Sequence, residues 1–187
     1  MEVFDWINKQ LGLFIEKHGS LPEYFEKINI NSSTIRSSNT SEYSIQKFEP
    51  AYGSLVYTEL FGGLAEHSGI YIGNKQIISM DGKGRIKKEG LNEFTGNIST
   101  INYEIYVPCY DGVNTAIGYH KAAWNAEEKL SESRNYHLLF DNCHQFSAVC
   151  ITGNFENNSN FLMFLKDDFQ RAVGVEKIVW RKWNWKN

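Results

Sequence analysis

Glu66-His67-Ser68-Gly69-Ile70-Tyr71-Ile72-Gly73-Asn74-Lys75-Gln76-Ile77-Ile78-Ser79-Met80 holds two short runs of β-branched and aromatic residues around the punctuation Gly73-Asn74-Lys75. Such runs favour strands because branched and ring side chains pack well on a pleated surface. Gly and Asn tolerate the left-handed backbone that a tight reversal needs. A hairpin of residues 66–72 against 76–80 is therefore predicted. Working outward, residues 54–59 and 101–107 have the same texture, and Asp81-Gly82-Lys83-Gly84 is a second turn signal. Together they predict a small antiparallel sheet.

Helical patterns follow it. Ala116, Ile117, Ala123, Trp124 and Leu130 approximate one stripe over residues 113–130, although Gly118 interrupts it. Residues 136–140 are a brief extended apolar run. Asp141-Asn142 offers cap chemistry for a helix from Cys143 to near Gly153, and Phe161, Phe164, Leu165 and Phe169 mark a last helix over 160–172. At the other end, Val3, Phe4, Ile7, Leu11, Phe14 and Ile15 recur at helical spacing. A second short helix follows Pro22, and residues 30–44 are a polar, Ser/Asn-rich linker. The expected organisation is an α+β domain at residues 50–187 behind an N-terminal helical extension and linker at 1–49.

With 187 residues, the chain suits one domain with a sizeable core, and no apolar run is long enough to cross a bilayer. A net charge of −3 argues against a nucleic-acid partner, which calls for a basic face. Three cysteines, Cys109, Cys143 and Cys150, fit neither a zinc spacing nor a disulfide framework, so free thiols are expected. His18, His120 and His137 have no ligand-like spacing, and neither a metal nor a cofactor is expected. The opening Met-Glu-Val-Phe-Asp-Trp lacks the pattern of a signal peptide, which implies a cytoplasmic protein.

A thiol becomes a nucleophile when its thiolate is stabilised, and the unpaired N–H groups and positive dipole of a helix's first turn do this. Cys143 occupies that place. Its base must come from elsewhere in the chain, and His67, on a predicted strand that holds the ring rigidly, is the candidate. His144 is adjacent, but successive helical residues point about 100° apart, so its ring is expected to face away from the sulfur. Cys150, seven positions on, suggests core packing along one helix face, and Cys109 follows a proline in an expected loop.

Gly53-Ser54-Leu55-Val56, then Glu66-His67-Ser68-Gly69-Ile70-Tyr71-Ile72-Gly73, then Tyr136 through Asp141-Asn142-Cys143-His144-Gln145-Phe146 resemble the lecithin retinol acyltransferase family. Cys150-Ile151-Thr152-Gly153 resembles that family's Cys-x-x-Gly. The resemblance covers residues 50 to about 154. It implies a permuted papain-like fold, a Cys143 nucleophile, a His67 base and a lipid acyl chain as substrate. Family members often carry a second histidine twelve positions after the first. This chain has Ser79 there, with Asp81 as the rival residue to orient His67. His144-Gln145 replaces the family's usual Glu-His.

The expected activity is transfer of an acyl group through a Cys143 thioester, as a lipid acyltransferase or phospholipid deacylase. Peptide or amide hydrolysis by the same thiol is the alternative, and an inactive binding module is the third reading, prompted by the uncharged Ser79. At the C-terminus, Trp180, Trp183 and Trp185 interleave with Arg181, Lys182 and Lys186. Such a segment would suit a lipid headgroup layer, or else a terminal strand or arm packing its indoles on the domain.

Overall fold

The hairpin at residues 66–80 lies at the middle of the sheet. Strand β2 (Ala65–Tyr71) pairs antiparallel with β3 (Gln76–Met80), with Gly69 opposite Ser79 and Tyr71 opposite Ile77. Asn74 and Lys75 take positive φ values of 51° and 57°, and the Gln76 N–H closes the reversal on the Gly73 carbonyl at 2.9 Å. This is the left-handed backbone that the Gly-Asn signal called for. These details come from a computed structural model, which describes residues 49–60, 65–96, 104–132, 142–154 and 161–186. All of them belong to the unit Lys47–Asn187. The N-terminal helices, the polar linker and the extended run at 136–140 fall outside the described residues.

The remaining strands are β1 (Leu55–Leu60), β4 (Ile86–Gly90), β5 (Ile105–Tyr110) and β6 (Ile178–Trp183). The order across the sheet is β4-β3-β2-β1-β5-β6, with every described pairing antiparallel. The helices are the single turn α1 (Leu91–Phe94), α2 (His120–Glu132), α3 (Cys143–Thr152) and α4 (Leu162–Val173). The fold is α+β, an antiparallel sheet packed against helices.

Residues paired across a ladder share a face, and alternate residues take opposite faces. On one face Leu55, Tyr57, Ile70, Ile78, Met80 and Ile86 meet α2, α3 and α4 through Ala122, Ala126, Phe146, Leu165 and Phe169. On the other, Val56, Tyr71, Ile77, Ile105, Val107 and Trp183 form a second core with Leu91 and Phe94 of α1. Helix α3 lies against β2 and β3 between α2 and α4, and eight of its ten residues are buried. A helix enclosed on several sides is apolar nearly all round, as Phe146-Ser147-Ala148-Val149-Cys150-Ile151 is.

Two local expectations are corrected, and one strand was missed. Residues 113–119 are not helical, and α2 starts only at His120. Its predecessors pair with the sheet instead, through the bridge Cys109↔Ala116 and the Ile117 N–H on the Pro108 carbonyl at 2.7 Å. Cys109 lies in β5 and is buried, not in a loop. Pro108 is tolerated there because its missing N–H points away from β6, on a side where β1 pairs with β5 only at Tyr57↔Tyr106. Finally, β4 was hidden in the charged run Lys87-Lys88-Glu89.

The C-terminal segment forms β6, paired with β5 from Ile105↔Trp183 to Tyr110↔Ile178. The two tryptophans of β6 do not share a face. Trp180 sits among Tyr57 and Phe169 on the helix side, while Trp183 is buried edge-on against Tyr71 on the other. Among the described residues, no helix is long and apolar enough to cross a membrane.

Candidate active site

Helix α3 begins at Cys143 because Asn142 caps it. Asn142 is extended (φ −162°, ψ 172°), and its side-chain oxygen accepts the Gln145 N–H at 2.8 Å. That satisfies one orphan donor of the first turn and places Cys143 at the positive end of the helix. At the far end Gly153 (φ 74°) closes the helix in the left-handed conformation. The Cys143 side chain is enclosed. Its sulfur lies 4.0 Å from the Glu66 carbonyl oxygen on β2 and 3.9 Å from His144 Nδ1.

His67, on β2 opposite Thr58, is 15% exposed, with its ring tilted on Phe94 at a centroid distance of 4.9 Å. Its Nε2 lies 3.3 Å from Ser79 Oγ and 3.6 Å from Glu89 Oε1. The Ser79 hydroxyl in turn donates to Glu89 Oε1. Glu89 Oε2 is 2.7 Å from Lys87 Nζ, which also reaches Glu93 at 3.2 Å. The register explains this line of groups. His67, Gly69, Ser79, Lys87 and Glu89 all belong to one face of β2, β3 and β4. Gly69, directly opposite Ser79, leaves the space open: a Cβ there would sit 2.6 Å from Ile77 Cγ2 and 3.1 Å from Ser79 Cβ.

The electrostatics follow from burial and partners. Burial alone would lower the His67 pKa, but the Cys143 sulfur and the Glu89 carboxylate outweigh it and push it up to about 9. Burial alone would raise the Cys143 pKa. The imidazoles of His144 and His67 reverse this and hold the thiol well below its ordinary range. Glu89 likewise stays below the carboxylate range, because His67, Lys87 and Ser79 overcome its desolvation. For Cys109 and Cys150 burial outweighs the nearby Arg181 and Lys129 and pushes both thiols up.

Ser79 therefore lies beside His67, whereas Asp81 does not. The Asp81 carboxylate is occupied in its own turn, accepting the backbone N–H groups of Lys83 and Arg85 and the Arg85 Nε at 2.9 Å. Sequence reasoning missed Glu89. Continuing the antiparallel count past the Asp81-Gly84 turn would have placed residue 89 opposite 77, on the His67 face, but two lysines concealed the strand. It also misplaced His144, whose Nδ1 faces the sulfur. The 100° rule fixes where Cβ points, not where a long side chain ends. Ser68 on β2 holds the ring, with its Oγ 2.8 Å from His144 Nδ1, 3.1 Å from Ser147 Oγ and 3.3 Å from the Cys143 carbonyl oxygen.

The arrangement can ionise a thiol beside a helix N-terminus and can hold one imidazole with its Nε2 on a serine–carboxylate pair. Among the described residues, no group of three His, Cys, Asp or Glu side chains could hold a metal ion. Comparison with protein-family models, curated proteins and solved structures gave no match.

Proposed function

We propose that the chain is a cysteine-dependent acyl-transfer enzyme, with Cys143 as nucleophile, His67 as acid and base, and Ser79 and Glu89 orienting His67. One observation carries the reading: Cys143 opens α3 with its sulfur 4.0 Å from the carbonyl oxygen of Glu66, the residue before His67 on β2. With Nε2 facing Ser79 and Glu89, Nδ1 is the nitrogen left to exchange a proton with the sulfur and the leaving group. Glu89 supplies through Ser79 the negative charge that a serine alone lacks.

In the first half-reaction the Cys143 thiolate attacks an acyl carbonyl carbon, forming the C–S bond. The oxyanion is stabilised by backbone N–H groups at the start of α3. As the C–O bond of the ester breaks, the leaving oxygen takes the proton from His67. In the second half-reaction His67 removes a proton from water or an alcohol or amine acceptor, which attacks the thioester and releases the thiolate. A lipid acyl ester is the substrate we favour, on the resemblance of residues 53–56, 66–73 and 136–146 to the lecithin retinol acyltransferase family. A permuted papain-like fold fits the order of a histidine strand before a cysteine helix packed on the same antiparallel sheet.

The test is incubation with phosphatidylcholine vesicles followed by intact mass measurement. An acyl adduct that Cys143→Ala lacks is expected. No adduct, together with Cys143-dependent cleavage of peptides, would replace the lipid reading with amide hydrolysis.

A further inference from the structure

The sulfur of Cys143 has the imidazole of His144 beside it. His144 is 6% exposed, and its Nδ1 lies 3.9 Å from the sulfur. A side chain in the first turn of a helix could point elsewhere. This one is clamped from the sheet, because Ser68 Oγ on β2 sits 2.8 Å from the same Nδ1.

The hydrogen-bond inventory around Ser68 indicates the clamp's direction. Ser68 has one proton and two acceptors for it besides His144: the Cys143 carbonyl oxygen at 3.3 Å and Ser147 Oγ at 3.1 Å. Its oxygen is thus able to accept a proton held on His144 Nδ1. That arrangement turns the positive edge of the ring toward the sulfur. The other charged groups around it are Glu66 on β2, whose charging is affected by both His144 and Cys143, and Lys166 on α4, which acts on Glu66. Burial raises the Glu66 pKa above that of a free carboxylate.

We infer that the two histidines divide the work on Cys143: His144, fixed by Ser68, keeps the sulfur ionised, while His67, backed by Ser79 and Glu89, carries the proton that moves during the reaction. The division rests on Cys143 being the reacting group. It follows from the anchoring of each ring. His144 is bound at the very nitrogen that faces the sulfur, with the Ser68 hydroxyl as its anchor. His67 is anchored at Nε2, leaving its other nitrogen for exchange. Of the groups that lower the Cys143 pKa, His144 contributes most.

The test is the ultraviolet absorbance of the thiolate against pH in the full-length chain, taken as the difference from Cys143→Ser. In His144→Asn the amide nitrogen can replace Nδ1 on Ser68 without a charge, and the Cys143 midpoint should rise by roughly one pH unit or more. His67→Asn should raise it by less while abolishing formation of the acyl adduct. Ser68→Ala, which keeps both histidines but releases the clamp, should raise it by an intermediate amount, and it serves as the test if His144→Asn does not fold. A midpoint unchanged in His144→Asn or Ser68→Ala, or moved furthest in His67→Asn, overturns the division. A wild-type midpoint like that of an ordinary thiol overturns the functional reading itself, and the division with it.

Discussion

A carboxylate that is 1% exposed costs several kcal/mol to charge unless its neighbours offset the lost water, and Glu89 has Lys87, Ser79 and His67. The relation is reciprocal, so Glu89 helps hold His67 near 9. The proposed mechanism needs the thiolate, which sets an acid limb well below the ordinary thiol range. It also needs the imidazolium to protonate the leaving group, which sets an alkaline limb near 9. Glu89→Gln removes the negative charge and leaves Lys87, so the alkaline limb of kcat/KM should move down toward the ordinary histidine range, with kcat falling by roughly a hundredfold. A pH–rate profile of the two proteins checks both. At this scale the places of Cys143, His67 and Ser79 in the fold were legible because a cap, a strand and a spacing each announce themselves locally. Glu89 and His144 were not, since one depends on a register across a turn and the other on a rotamer set by Ser68 from a distant strand.

Two elements hold the site in place. Gly69 on β2 has no room for a Cβ against Ile77 and Ser79. Gly69→Ala should therefore cost about 1–3 kcal/mol in a denaturation experiment, and it should also depress acyl transfer by pushing Ser79 away from His67. At the start of α3, Asn142→Ala should cost about 1 kcal/mol for the lost cap and raise the Cys143 midpoint as the first turn frays. Denaturation together with thiol titration separates the two effects. The turns at Asn74-Lys75 and Asp81-Gly84 and the cap of α3 were readable because each is a local steric or hydrogen-bonding requirement. The start of α2 was not. Ala116 and Ile117 fit a helical stripe, yet the edge of β5 offered them backbone partners that a one-dimensional pattern cannot display.

For the molecule as a whole, two cores on opposite faces of one sheet share the burial. Trp183 belongs to the second core at 4% exposed, whereas Trp124 on α2 is 72% exposed. Trp183→Ala should destabilise the protein by about 3–5 kcal/mol, while Trp124→Ala should stay within about 0.5 kcal/mol, both read from denaturant midpoints. The α+β class and the helix face of the sheet were legible from alternation and helical stripes. The second core was not, because β1, β2 and β3 complete it only with β5, β6 and α1, the last two being absent from the sequence reading except for β6 as one option for the C-terminal arm.

The central claim is that the groups around Cys143 hold its thiol well below the ordinary range. The most direct measurement is the rate of Cys143 carbamidomethylation by iodoacetamide against pH, read peptide by peptide beside Cys109 and Cys150. A midpoint for Cys143 well below the ordinary value of about 8.5 is expected, with the other two unreactive near neutral pH. Three thiols that share a midpoint at or above that value would contradict the account.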